Sequence, residues 1–93
     1  MINIEQKELI LNALKKYNPV EVGVFGSYAR DENNSSSDLD ILVDFDKSPD
    51  LLELIGLEQY LSEKLGIKVD LITKRSLNPR LKEYVEKDLI ALA

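Results

Sequence analysis

Gly26-Ser27-Tyr28-Ala29-Arg30 follows an apolar run, and Asp38-Leu39-Asp40 comes after the polar stretch 31–37. Two aspartates separated by one residue on an extended chain leave the same face, about 6 to 7 Å apart at the backbone. Such a pair can hold a divalent cation. Its hard oxygen donors suit Mg2+, which takes one or two protein carboxylates and completes its shell with water and substrate phosphate. Gly26-Ser27, opening a turn after a strand, offers bare amides and a hydroxyl to phosphate oxygens, and glycine lets the phosphate approach closely. Asp70 is a third acid, set in the otherwise apolar run Val69–Ile72, where a carboxylate is costly unless paired or bound to a metal. Arg30, one helical turn beyond Ser27, can reach a phosphate or tie the loop to a carboxylate such as Asp38. Taken singly, each feature also reads plainly: a turn, a solvated strand edge, an Asp facing water, an ion pair.

Composition narrows the chemistry. The 93 residues suffice for one domain, read as spanning 1–93, and 44% hydrophobic with 31% charged residues fits a soluble globular class. Cys and His are both absent, which removes disulfides, thiol nucleophiles and imidazole chemistry, so carboxylates must carry any catalysis. A net charge of −5 argues against direct nucleic-acid binding, which needs clustered Lys and Arg. An acidic chain that handles phosphates needs a cation between them. Neither a leader nor a membrane-length apolar run is evident, which points to a cytoplasmic protein.

The elements that must position these residues follow from periodicity. Apolar positions recur at helical spacing from Ile4 to Tyr17, ending at Asn18-Pro19. Val20–Phe25 is rich in β-branched residues and reads as a strand. A short helical turn and the loop 31–37 lead to a second strand, Asp38–Phe45, which places Leu39, Ile41, Val43 and Phe45 on one face and Asp38, Asp40, Leu42 and Asp44 on the other. Ser48-Pro49 predicts a helix start, and Leu51, Leu54, Leu57, Leu61 and Leu65 its buried stripe, up to Gly66. Gly56 inside that helix is unfavourable unless something packs close to it. Lys68–Ile72 reads as a third strand, and Asn78-Pro79 starts a last helix packed through Leu81, Tyr84 and Val85. The final Asp88–Ala93 either extends it or forms an edge strand. The fold class is α/β with an α+β-like order: a small mixed sheet, partly antiparallel because the first connection is short, with helices packed on it.

Gly-Ser-x-Ala-Arg, a polar loop, Ser-Asp-Leu-Asp and a later lone Asp on a strand resemble the nucleotidyltransferase superfamily that includes DNA polymerase beta, and most closely its minimal MNT-domain members. The resemblance spans nearly the whole chain, and departs from the pattern at Asp31, where glycine commonly follows the Arg. It implies that Asp38, Asp40 and Asp70 bind Mg2+, two ions in all, and that Gly26 and Ser27 hold the phosphates of ATP, with Arg30 beside them. It implies further that an acceptor hydroxyl near Asp70 attacks the α-phosphorus and pyrophosphate leaves. Free-standing MNT proteins of this size resemble antitoxins of HEPN/MNT pairs, which transfer AMP to a tyrosine of the HEPN ribonuclease toxin. The helix 51–65 is then a candidate docking surface for such a partner. Two other readings stay open here: an antitoxin acting by stoichiometric binding, and a small-molecule transferase of the aminoglycoside type.

Overall fold

The computed structural model describes residues 2–93. The Asn3 side chain accepts from the Gln6 amide while the Gln6 side chain accepts from the Asn3 amide, a reciprocal cap that starts α1 (Ile4–Leu14). Helix α1 buries Ile10 and Leu14, tightens into a 3-10 turn over Lys15–Tyr17, and ends where Asn18 turns left-handed (φ 49°) ahead of Pro19.

Strands β1 (Pro19–Phe25) and β2 (Leu39–Phe45) pair antiparallel, with Phe25 opposite Asp40. Helix α2 (Leu51–Leu65) crosses over to β3 (Val69–Thr73), which therefore joins β2 in parallel, with Asp70 opposite Asp40. Helix α3 (Pro79–Asp88) leads into β4 (Ile90–Ala91), a short edge strand against Gly23 and Val24, and completes the order β3-β2-β1-β4. The sheet is mixed, as the short first connection predicts.

Helix α2 starts later than Ser48-Pro49 suggests. Asp50 is its N-cap, because Asp50 and Glu53 exchange side-chain and amide hydrogen bonds, whereas Ser48 would have had apolar Leu51 three residues on. Leu51 accordingly lies in the first turn and is exposed rather than buried. Asn78 and Pro79 do begin α3, yet only Val85 of that helix is buried, and Leu81 and Tyr84 face outward.

The core lies on one face of the sheet. Leu39, Ile41, Val43 and Phe45 meet Ile10 and Leu14 of α1 and Leu57 and Leu61 of α2, and full burial of such a side chain contributes about 1.5–3 kcal/mol. Alternation sends Asp40 and Leu42 to the opposite face, and Asp38 lies just before the strand. Leu42 and Val85 are buried outside the main cluster, so α3 screens part of this second face and leaves the aspartate end open.

Candidate active site

The end of β1 and the start of β2 meet at one edge of the molecule because the strands are antiparallel. Gly26 takes φ +72° there, and a Cβ at this position would run into the Asp40 carboxylate. The turn closes with Arg30 N–H donating to the Gly26 carbonyl (3.1 Å) and Glu32 N–H to the Ser27 carbonyl (2.9 Å). It is a single turn that does not continue as a helix. The amides of Ser27, Tyr28 and Ala29 donate to no group of the described residues, nor does the Ser27 hydroxyl. Buried Tyr28 anchors the turn to the core. The result is a row of unused donors beside a glycine, an arrangement suited to an anion. Asp31 takes φ +58°, the left-handed region that glycine occupies at no cost and Asp tolerates, so the departure from the family pattern keeps the turn's shape.

Asp40 and Asp70 lie side by side on the open face, with Asp38 near Asp40. Asp40 and Asp70 are register partners on neighbouring strands, and Asp38 precedes Asp40 by two residues. Burial, above all, and the charges of Asp70 and Asp38 push the Asp40 carboxyl above its ordinary range, while Arg30 pulls it back. Asp38 makes a long contact of 3.8 Å with exposed Lys68, worth little in water. Strand β3 is an edge strand, held from α2: the Ser62 hydroxyl accepts from the Val69 amide and Glu58 accepts from the Leu71 amide, both at 2.9 Å. These bonds flank Asp70 and fix its place. Glu58 and Ser62 stand at i, i+4 on one helix face, which is the signal sequence reading passed over.

Arg30 is tied elsewhere than Asp38. Its guanidinium donates to Asp88 at the end of α3 (2.6 Å) and to Glu32 (3.4 Å). The Asp88 bond, spanning 58 residues of sequence, had no local signal. Arg30→Ala is expected to lower the melting temperature, and the charge-swapped double variant Arg30→Asp with Asp88→Arg to recover most of that loss. A swap no more stable than Arg30→Ala would contradict the tie.

The donor set is all oxygen, which selects a hard cation such as Mg2+. The repulsion that Asp70 and Asp38 exert on Asp40 marks a place where positive charge is favoured. Among the described residues no three acidic side chains converge on one point, consistent with a cation that takes two carboxylates and leaves the rest of its shell to water and phosphate.

Free amides beside a glycine, next to carboxylates from adjacent strands of a mixed sheet, suit a phosphate and a divalent cation held side by side. The chain belongs to the nucleotidyltransferase domain family, whose sequence model matches residues 7–92. It is 44% identical over 95 residues to the protein adenylyltransferase MntA of Thermococcus cleftensis, covering 97% of this chain and 96% of that one. It is 54% identical over 77 residues to MJ1217 of Methanocaldococcus jannaschii, covering 82% of this chain and 79% of that one. A toxin–antitoxin crystallised with AMP-PNP shares its fold with a TM-score of 0.85 at 27% identity, over 94% of this chain and 72% of that one. The tri-AMPylated HEPN toxin of Shewanella oneidensis in complex with its MNT antitoxin matches with a TM-score of 0.78 at 25% identity, over 96% and 70%. The family read from Gly26-Ser27 and the aspartates is therefore the right one.

Proposed function

We propose that this chain is an antitoxin that transfers AMP from ATP to a tyrosine hydroxyl of a HEPN-type ribonuclease toxin in the cytoplasm. The observation that carries the reading is the apposition of the Gly26 turn to Asp40, with Asp70 alongside. It has support in 44% identity to a protein adenylyltransferase and in structural likeness to toxin–antitoxin proteins.

The residues divide the work. The amides of Ser27, Tyr28 and Ala29, with the Ser27 hydroxyl, bind the terminal phosphates and orient the triphosphate. Asp38, Asp40 and Asp70 would hold Mg2+, which would supply the positive charge that a chain of net charge −5 lacks for binding ATP. Asp70 also receives the proton of the acceptor hydroxyl. The tyrosine oxygen forms a bond to the α-phosphorus, the bond from that phosphorus to the bridging oxygen breaks, and pyrophosphate leaves. Arg30 lowers the Asp40 pKa through space, and contacts the nucleotide only if its guanidinium leaves Asp88 and Glu32.

Incubation with ATP, Mg2+ and the cognate HEPN toxin is expected to add the mass of AMP to a toxin tyrosine and abolish ribonuclease activity at substoichiometric antitoxin. Absence of the mass shift would overturn the proposal. So would a variant carrying Asp38→Ala and Asp40→Ala that protects equally well at that dose, since it would show binding alone to suffice.

A further inference from the structure

On the sheet face turned away from the aspartates, α1 and α2 lie side by side and leave an open groove of about 800 Å3. Glu5 and Glu8 line one rim and Tyr60 the other, over a floor that includes Leu9, Ala13 and Gly56. A hydrogen bond from the Tyr17 hydroxyl to Glu53 (3.2 Å) spans one end.

Gly56 is the unexplained residue. The chain has four glycines, and three have reasons within the fold. A Cβ on Gly23 would meet Leu89 at 2.6 Å, one on Gly26 would meet Asp40, and Gly66 is left-handed at φ +67°. Gly56 lies inside α2, where glycine is among the least favourable residues, and a Cβ there would have nothing within 4 Å. Nothing inside the molecule uses the missing side chain. A helix interior kept bare at the floor of a groove permits a second backbone to come close.

The rim indicates the charge of what comes. Glu5 and Glu8 are exposed and take part in none of the ion pairs of the described residues. Lys16, the lysine at the groove, sits 5.1 Å over the Tyr17 ring. Beyond the groove, Leu52 and Ile55 extend the apolar surface of α2 outward.

We propose that this groove seats an amphipathic helix of the protein substrate, apolar where it crosses Gly56 and carrying Lys or Arg toward Glu5 and Glu8. The helix docks on the far side of the sheet from the phosphate turn and anchors the substrate apart from its acceptor hydroxyl. The identity of the partner rests on the antitoxin reading; the groove itself does not.

The test uses the full chain, ATP and the cognate HEPN toxin. Gly56→Leu is expected to raise the melting temperature of the free chain, because leucine suits a helix better than glycine, yet to weaken toxin binding about tenfold by filling the floor. Glu5→Lys with Glu8→Lys is expected to weaken binding and flatten its salt dependence. In AMP transfer both variants raise KM for the toxin and leave KM for ATP unchanged. Toxin affinity unaltered in Gly56→Leu overturns the inference, as does a lowered melting temperature, which would give Gly56 a role inside the fold. Self-association of the free chain that Gly56→Leu abolishes also overturns it, by assigning the groove to a second copy. Toxin binding that depends on Gly56 without any AMP transfer refutes the catalytic reading and leaves the groove standing. No toxin binding by the unaltered chain refutes both.

Discussion

Asp40→Asn is expected to lower AMP transfer about a thousandfold or more while raising the melting temperature of the metal-free chain at neutral pH. Both effects come from one cause. Burial, then the like charges of Asp70 and Asp38, lift the Asp40 carboxyl above its ordinary 3.8, and Arg30 offsets only part of this. The folded chain therefore holds this proton more tightly than the unfolded chain. Stability falls as pH rises from the ordinary value through the raised one, and stays lost above it. Asparagine keeps the shape without the charge. Because Asp40 is only partly buried, water screens much of the repulsion and its relief gains at most about 1 kcal/mol, and each kcal/mol is about 4–8 °C in a chain of this size. The comparison needs a chelator, because a cation that binds only the folded state stabilises it. Adding Mg2+ should raise the melting temperature of the unaltered chain and move that of Asp40→Asn much less. The lost activity reflects several kcal/mol of charge stabilisation in the transition state, each 1.36 kcal/mol being about tenfold in rate. Melting curves with chelator from about pH 4 to 8, set beside transfer assays, read both effects. An Asn variant no more stable than the parent at neutral pH, or one still active, would contradict the account.

The parts of this site that were legible in sequence are those fixed by local rules. Alternation along the second strand placed Asp40 on the face opposite Leu39 and Ile41, although the strand begins at Leu39 and Asp38 lies just before it, and the β-branched run before Gly26 ended the strand where the turn begins. Asp70 stood out because its neighbours are apolar, and the structure sets it opposite Asp40. What could not be read depends on contacts between distant segments. Asp88 is one acid among several on a charged helix until α3 brings it to Arg30. Leu81 and Tyr84 have helical spacing, but α3 touches the sheet along too narrow a stripe to bury them. Leu51 fits the leucine repeat of α2 and is exposed, because the Asp50–Glu53 cap places it in the first turn. Periodicity fixes which residues share a face. It leaves open how much of that face is covered.

Gly26→Ala is expected to lower AMP transfer about a hundredfold, whereas Gly66→Ala stays close to the parent. The pair isolates one contact, because both glycines are left-handed, at φ +72° and +67°. Forcing an L-residue into that region costs about 1–2 kcal/mol, and both variants should lose that much stability. At Gly66 the added Cβ meets open space, so nothing further is lost. At Gly26 it meets the Asp40 carboxylate, and one of the two must move. The backbone of Asp40 is held in β2 between β1 and β3 and buried Tyr28 anchors the turn, so the carboxylate is what gives way. Its displacement moves an oxygen meant for the cation out of place beside the amides of Ser27, Tyr28 and Ala29, and a misplacement of about 1 Å costs about a hundredfold in rate. Denaturant melts should therefore show Gly26→Ala less stable than Gly66→Ala, and kcat/KM should separate them far more widely. Equal activity in the two variants would mean that turn and carboxylate are not in contact. The glycine at 26 is thus required by a side chain on the next strand, which joins Gly26-Ser27 and Asp38-Leu39-Asp40 into one structural unit.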